Sequence, residues 1–314
     1  MSELGDLEPA TIRRLLQQRG LTIDLGSGTF AVRGPVSGLA DDLTRLYRHF
    51  PLESEHGFVD IRIDMHRPAG WRRWVRPQVV LRCDGETPFE PFPRDHALPL
   101  LEWGVNWFIG QRINHQLLFH AACLERDGFG LLLPAVPGSG KSTLAVALAH
   151  RGWRLLSDEF GVLDMHDRQL RAMLKPAALK NESIDVIRRT IPEARIGRLF
   201  PRTRKGTVAH VAADRSTVAR RHEAARPALV VMPQWRAGVS TTLAPVGREE
   251  LFRALAFNSF NYDLLGEAAF EAVIALSSQC LAFRLEYSDL IDAIACLDDV
   301  WSRQAVPLQR VSSE

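Results

Sequence analysis

The chain has 314 residues, of which 46% are hydrophobic and 24% charged, and its formal net charge is +2. This composition is typical of a globular protein, and the balanced charge favours neither nucleic acid nor a membrane surface as a partner. No apolar run approaches the roughly 18 residues that a membrane span needs, and the N-terminus lacks a signal-peptide pattern. The four cysteines have neither C-x-x-C nor zinc spacing, so we expect a cytoplasmic protein.

The first third of the chain is patterned as a small α+β module. Apolar residues recur at helical spacing in several stretches, and residues 59–65 alternate apolar with charged side chains as in a half-buried strand. In chain order, the predicted elements are a helix over 7–19, a strand and turn over 22–32, a helix over 38–50, strands at 59–65 and 79–81, and a helix over 98–113. We expect residues 1–113 to form a module that binds a substrate or partner.

From residue 114 onward, strands and helices follow one another along the chain. The predicted strands lie at 117–125, 130–134, 153–157, 228–232 and 280–285. The predicted helices lie at 141–151, 184–189, 248–257, 266–276 and 289–300. This order is typical of a parallel or mixed α/β sheet. The predicted fold class is therefore α/β, with a mixed-sheet core over 114–314 behind the smaller α+β module.

A glycine-rich loop joins the second strand of this core to its first helix. The residues of this glycine loop are Pro137, Gly138, Ser139, Gly140, Lys141, Ser142 and Thr143. They match the Walker A pattern G-x-x-x-x-G-K-[ST] except at its first position, where Ala135 replaces glycine. Glycines let the backbone approach a ligand, and inward N–H groups at a helix N-terminus bind phosphate. We expect a P-loop for ATP or a close relative, and an accidental glycine loop is the weaker alternative.

The surrounding motifs narrow the class of P-loop protein. The chain has no N-K-x-D motif of GTPases and no L-S-G-G-Q signature of transport ATPases. Its acidic pair, Asp158-Glu159, comes directly after the first strand that follows the helix. Adjacent residues at a strand end point to opposite faces, so either a bulge or turn aims both carboxylates at one site, or only one of them acts directly.

Residues 120–159 resemble HPr kinase/phosphorylase, in its HPr-kinase-related branch. The resemblance rests on His120 in the strand before the glycine loop, on the segment 151–155 (Arg-Gly-Trp-Arg-Leu), and on the acidic pair. A weaker resemblance reaches the C-terminus and includes the segment 258–262. The family has Asp-Asp where this chain has Asp-Glu, and the first 100 residues do not resemble its N-terminal domain. These differences argue against HPr itself as the acceptor.

The resemblance implies roles for the residues around the loop. Asp158 would be the base that accepts or orients the acceptor's proton, and Glu159 would bind Mg²⁺ together with the Ser142 hydroxyl. His120 would contact Asp158 or the acceptor and share the base role. The structural alternatives are a turn cap for Asp158, a surface carboxylate for Glu159 and a core histidine for His120.

Further candidates come from basic and amide side chains. The cluster around Arg204 and Lys205 could neutralise charge on the γ-phosphate, or it could be a solvated surface loop. Lys175 and Lys180, on either side of Pro176, could contact a phosphate or the acceptor. Asn261 could contact a base or ribose, although a buried structural turn is the stronger interpretation.

These features favour an ATP- and Mg²⁺-dependent kinase whose acceptor is a serine-type hydroxyl of a protein, a peptide or a small molecule. One alternative is a nucleotide-responsive binding module that transfers no phosphate. A weaker alternative is a phosphorylase or phosphatase acting on a phosphoserine. The expected partners are a nucleotide and a hydroxyl-bearing acceptor, without nucleic acid or membrane, and the chain could form a homo-oligomer.

Overall fold

The computed structural model describes residues 3–52, 58–68 and 75–311. Within these ranges the chain is a mixed α/β protein, as predicted, and no helix there is long and apolar enough to cross a membrane. The chain divides into two compact units. The first unit comprises Met1–Asn114, Met173–Asp185 and Glu193–His222, and the second comprises His115–Ala172, Val186–Pro192 and Glu223–Glu314.

The regular elements alternate along most of the chain. The strands are β1 (Leu21–Asp24), β2 (Thr29–Arg33), β3 (Ile61–His66), β4 (Gln78–Cys83), β5 (Phe92–Pro93), β6 (Gln116–Arg126), β7 (Phe129–Pro134), β8 (Arg154–Ser157), β9 (Phe160–Asp164), β10 (Leu170–Arg171), β11 (Ala177–Lys180), β12 (Phe200–Thr203), β13 (Gly206–Val211), β14 (Arg226–Trp235), β15 (Thr242–Pro245) and β16 (Leu281–Tyr287). The helices are α1 (Pro9–Gln18), α2 (Leu39–Leu46), α3 (Ala97–Arg112), α4 (Lys141–Ala149), α5 (Glu182–Thr190), α6 (Arg215–Ala219), α7 (Arg248–Phe257), α8 (Tyr262–Leu265), α9 (Glu267–Gln279) and α10 (Leu290–Val311).

The first unit contains a five-stranded sheet in the order β1-β2-β3-β4-β5, and a three-stranded antiparallel sheet in the order β11-β13-β12. The alternation predicted for residues 59–65 is confirmed in β3, where Ile61, Ile63 and Met65 are buried while Arg62 is exposed. In α1 the first position is proline, which suits a helix start, and the buried side chains lie on one face.

A charged cluster is buried inside the first unit. The Lys175 ammonium lies 2.8 Å from Glu102 Oε2, and Tyr47 donates a 2.6 Å hydrogen bond to Glu102 Oε1. Burial alone would raise the pKa of Glu102, but the charges of Lys175 and His210, with hydrogen bonds from Lys175 and Tyr47, together hold this pKa below its usual value. Lys175 is therefore a structural partner of Glu102, which corrects the idea that it is a phosphate contact.

His210 belongs to the same buried region, and we expect it to make stability depend on pH. Burial lowers the pKa of His210 from 6.5 to about 4. The negative charge of Glu102 opposes this shift, and the positive charges of Lys175 and Lys180 add to it. Between pH 6.5 and 4 the unfolded chain binds a proton that the folded chain does not, so stability falls as the pH is lowered. The expected loss is about 3 kcal/mol.

Urea unfolding of wild type and His210→Gln at pH 7 and pH 4.5 measures this effect. The variant should lose less stability on acidification than wild type. His66→Gln is the control, because His66 lies in the same unit but is only half-buried. Equal acid losses in wild type and His210→Gln would contradict the expectation.

The second unit is built on one mixed sheet. Its strand order is β10-β9-β6-β7-β14-β16-β15, and β8 pairs with β6 beside β9. Strands β7, β14 and β16 are parallel to one another, while β6 is antiparallel to β7, β8 and β9. Helix α4 packs on β6, β7 and β8, and α10 packs on α4. A buried ion pair of 2.6 Å between Arg154 and Glu125 joins β8 to β6.

Candidate functional site

Two loops leave the sheet of the second unit at the same edge. On one side of β6, β7 ends at Pro134 opposite Ala121. On the other side, β8 ends at Ser157 opposite Cys123. Adjacent strands lie about 4.8 Å apart, so the ends of β7 and β8 are separated by roughly 10 Å. The glycine loop and the acidic pair therefore emerge on either side of one short stretch of β6.

The glycine loop has the backbone conformation that its glycines were expected to allow. Gly138 and Gly140 have φ angles of +88° and +85°, in the left-handed region that side chains disfavour. Helix α4 begins directly after Gly140, whose carbonyl accepts a 2.9 Å hydrogen bond from Leu144. The side chains of Ser139 and Lys141 are buried, whereas Pro137 and Gly138 are exposed. Ser142 and Thr143 are half-buried in the first turn of α4.

The ends of β14 and β16 hold this loop in place. The Trp235 backbone N–H donates a 3.0 Å hydrogen bond to the Ser139 carbonyl, and Tyr287 Oη lies 3.3 Å from the Gly140 carbonyl. A Cβ atom at Gly140 would lie 2.2 Å from Tyr287 Oη, so only glycine fits there. Sequence reasoning did not identify Trp235 or Tyr287, because neither belongs to a motif and both reach the loop only through the parallel sheet.

His120 and Glu159 face each other across the pair β6 and β9. His120 Nε2 lies 3.5 Å from Glu159 Oε1, and both side chains are partly exposed. The Phe260 ring packs edge-on against the His120 ring, with their centroids 5.6 Å apart. The sequence predicted that His120 would contact Asp158 or the acceptor, and the contact with Glu159 was not anticipated.

Asp158 is buried in the turn between β8 and β9. The Ser157 hydroxyl accepts hydrogen bonds from the N–H groups of Glu159 and Phe160, at 3.2 and 2.9 Å, and so shapes this turn. The pairing of β8 with β6 also shifts register between Leu155 and Ser157. Asp158 and Glu159 therefore follow an irregular strand end and lie in a turn, so their side chains are not bound to the strict alternation of a regular strand.

Beyond the end of β7, the segment 258–261 lies alongside β6. Its backbone bonds to β6 through Asn258 O, which accepts from His120 N at 2.5 Å. The buried Asn261 side chain accepts from Leu118 N at 3.0 Å and donates to Gln116 O at 2.8 Å. Asn261 therefore has a structural role, which is the role that its sequence context favoured.

The predicted basic residues Arg204 and Lys205 belong to the first unit. There the Arg204 guanidinium and the Lys205 ammonium lie over the Trp103 ring, 5.9 and 5.2 Å from its centroid. Both side chains are exposed, and contacts of this kind contribute about 0.5–1 kcal/mol at exposed sites. Within that unit, the two cations pack on an aromatic surface formed with Phe92.

Oxygen atoms are the candidate metal ligands at the sheet edge. Among the described residues, no three histidine, cysteine or acidic side chains cluster as a metal cage. Magnesium commonly takes one or two protein ligands and completes its shell with phosphate oxygens and water. The Glu159 carboxylate and the Ser142 hydroxyl, predicted as its ligands, have the hard-oxygen chemistry that suits this mode.

No protein-family model matches the chain, and no curated protein matches it either. Kinship with HPr kinase therefore stays a prediction that rests on the motifs of residues 120–159. The second unit places the glycine loop, a buried carboxylate and a histidine–carboxylate pair along one edge of its sheet.

Proposed function

We propose that this chain is an ATP- and Mg²⁺-dependent kinase that transfers the γ-phosphate to a serine-type hydroxyl. The main support is that the glycine loop and the Asp158-Glu159 turn leave the same edge of the sheet, separated by β6 and its His120. A phosphate donor held by the loop and an acceptor hydroxyl beside the carboxylates would meet at that edge.

The conformation of the loop supports the proposed phosphate binding. Gly138 and Gly140 have positive φ angles just before α4, a backbone conformation that allows successive N–H groups to turn toward one anion. Such groups, with the positive end of the helix dipole, attract phosphate oxygens. Lys141 adds a full positive charge in the first turn of the helix, where it would contact the β- and γ-phosphates.

The transfer step assigns a separate task to each acidic residue. The acceptor oxygen bonds to the γ-phosphorus as the bond from that phosphorus to the β–γ bridging oxygen breaks, which leaves ADP and a phosphate monoester. Asp158 accepts the hydroxyl proton. Glu159 and Ser142 would hold Mg²⁺, which when bound neutralises charge on the β- and γ-phosphate oxygens. His120 restrains Glu159 through the 3.5 Å contact.

The first test is ATP binding to Lys141→Ala, measured by isothermal titration calorimetry. We expect the affinity to fall at least tenfold, equivalent to about 1.4 kcal/mol, because a charged phosphate contact is lost. Arg303→Ala is the control, since Arg303 is an exposed cation on α10 outside the glycine loop, and it should bind ATP normally. Unchanged affinity in Lys141→Ala would remove the basis for the nucleotide site.

The second test follows phosphate transfer from γ-labelled ATP, with Mg²⁺, to a lysate of the host. A species labelled by wild type but not by Lys141→Ala would identify the acceptor by its mass. Binding of ATP without transfer to any fraction would instead favour the nucleotide-responsive module.

A further inference from the structure

Trp235, the last residue of β14, lies against the glycine loop. Its backbone N–H donates a 3.0 Å hydrogen bond to the Ser139 carbonyl. A Cβ atom at Gly140 would lie 3.1 Å from Trp235 Cβ. Despite these contacts, Trp235 is 45% exposed. A single exposed aromatic residue is ordinary on a protein surface, so its position beside the loop is what makes it a candidate binding group.

The indole of Trp235 is held across the ends of two strands. Its Nε1–H donates a 3.0 Å hydrogen bond to Ser288 O, one residue beyond the end of β16. The next residue, Arg236, donates its backbone N–H to the Tyr287 carbonyl at 2.9 Å. Ser288 Oγ also accepts a 3.0 Å hydrogen bond from Gly238 N. Because the ring is already restrained, a planar ligand that packs on it does not bear the full cost of ordering it.

Trp235 and the acidic pair lie on opposite sides of the glycine loop. Strand β14 lies next to β7 on the side away from β6, in the order β6-β7-β14-β16. The pair Asp158-Glu159 follows β8, on the far side of β6. Three strand spacings of about 4.8 Å place β8 and β14 roughly 14 Å apart across the sheet. The glycine loop, which follows β7, lies between them.

This arrangement gives a bound nucleotide a direction. In the proposed kinase, the γ-phosphate points toward Asp158, on the β6 side of the loop. The nucleoside then extends to the opposite side, over the ends of the parallel strands β14 and β16, and ligands of open α/β sheets commonly bind outside such strand ends. We propose that the base of the nucleotide stacks on the indole of Trp235. The inference rests on the nucleotide site of the proposed function and adds the group that binds the base.

Stacking on an aromatic ring recognises the face of a base and not its edge. Every base offers such a face, so this contact adds affinity without strict selection for adenine. Trp235 would therefore bind the nucleoside part of the ligand, whereas the glycine loop and Lys141 would bind the phosphates. Tripolyphosphate separates the two contributions, because it has the phosphate chain of ATP without ribose and base.

Isothermal titration calorimetry with ATP and with tripolyphosphate tests the assignment. We expect Trp235→Ala to lower the affinity for ATP about fivefold or more, the loss expected for one base–aromatic stack. Its affinity for tripolyphosphate should be unchanged, because alanine keeps the backbone N–H that bonds to Ser139. Lys141→Ala should weaken the binding of both ligands.

Two further variants separate the ring from its surroundings. Trp235→Phe should retain most of the ATP affinity, because phenylalanine keeps an aromatic face although it loses the hydrogen bond to Ser288. Trp107→Ala is the matched control, since Trp107 is 46% exposed on α3 in the first unit, and it should bind both ligands normally. ATP should also quench the tryptophan fluorescence of wild type and Trp107→Ala, and this quench should be lost in Trp235→Phe.

Three results would overturn the inference. Unchanged ATP affinity in Trp235→Ala would mean that no base stacks there. Equal losses for ATP and tripolyphosphate in that variant would mean that the substitution disturbs the loop. Equal losses of ATP affinity in Trp235→Phe and Trp235→Ala would mean that the hydrogen bond to Ser288, and not the ring face, is needed.

Failure of this inference and failure of the proposed function give different results. Normal ATP binding and transfer in Trp235→Ala would overturn the base contact alone and leave the kinase in place. Trp235-dependent ATP binding without transfer to any acceptor would overturn the kinase and leave the base contact in place. If wild type binds neither ATP nor tripolyphosphate, the nucleotide site fails and the inference fails with it.

Discussion

Asp158→Asn should lower the rate of phosphate transfer by about 10²–10⁴-fold, the range typical for loss of a general base. Asparagine has nearly the same shape as aspartate but cannot accept the acceptor's proton. Because Asp158 is buried in the β8–β9 turn, a change of shape there would confuse chemistry with folding, and the isosteric amide avoids this. ATP affinity should stay nearly unchanged, since the glycine loop is intact.

The measurement is single-turnover transfer from γ-labelled ATP, with ATP affinity determined in parallel. Asp299→Asn is the control, because Asp299 is an exposed carboxylate on α10 that pairs with Arg303, and it should transfer at the normal rate. A near-normal rate in Asp158→Asn would show that Asp158 is not the base. Loss of ATP binding in a folded Asp158→Asn would place this residue in the nucleotide site instead.

Lys175→Met should destabilise the first unit by about 3–5 kcal/mol. The substitution removes the ammonium 2.8 Å from Glu102 and leaves a carboxylate buried without its counter-charge. The Tyr47 hydrogen bond remains, but one neutral donor does not replace a full charge. Such a loss is a large fraction of the stability of an ordinary domain.

Urea unfolding followed by circular dichroism measures the change. Lys180→Met, at an exposed lysine of the same unit, should stay within about 0.5 kcal/mol of wild type. The double variant Glu102→Gln/Lys175→Met should recover part of the loss, because no buried charge is left unpaired. A loss below about 1 kcal/mol in Lys175→Met would mean that water reaches Glu102.

Sequence patterns predicted the local parts of the site well. The alternation of strands and helices placed β6, β7, α4 and β8 close to their observed bounds. The need for glycine at positions 138 and 140 followed from the loop pattern. These features depend on neighbouring residues, which a sequence displays directly.

Parts that depend on distant contacts could not be predicted in this way. The sequence ended a strand at Asp158-Glu159, whereas the chain turns there and returns as β9 beside β6. Strand β13 was missed too, because its neighbours β11 and β12 supply the pairing that defines it. Lys175 could not be assigned to Glu102 from sequence, since their contact joins parts of the chain far apart.

The hydrogen bonds that Trp235 and Tyr287 make to the glycine loop have a consequence for biosynthesis. The loop motif leaves the ribosome well before β14 and β16, whose paired last residues are Trp235 and Tyr287. A nascent chain that stops short of β16 carries the full motif without the two anchors of its backbone. The proposed nucleotide site would therefore be completed late in translation, so that incomplete chains released early would not compete for ATP.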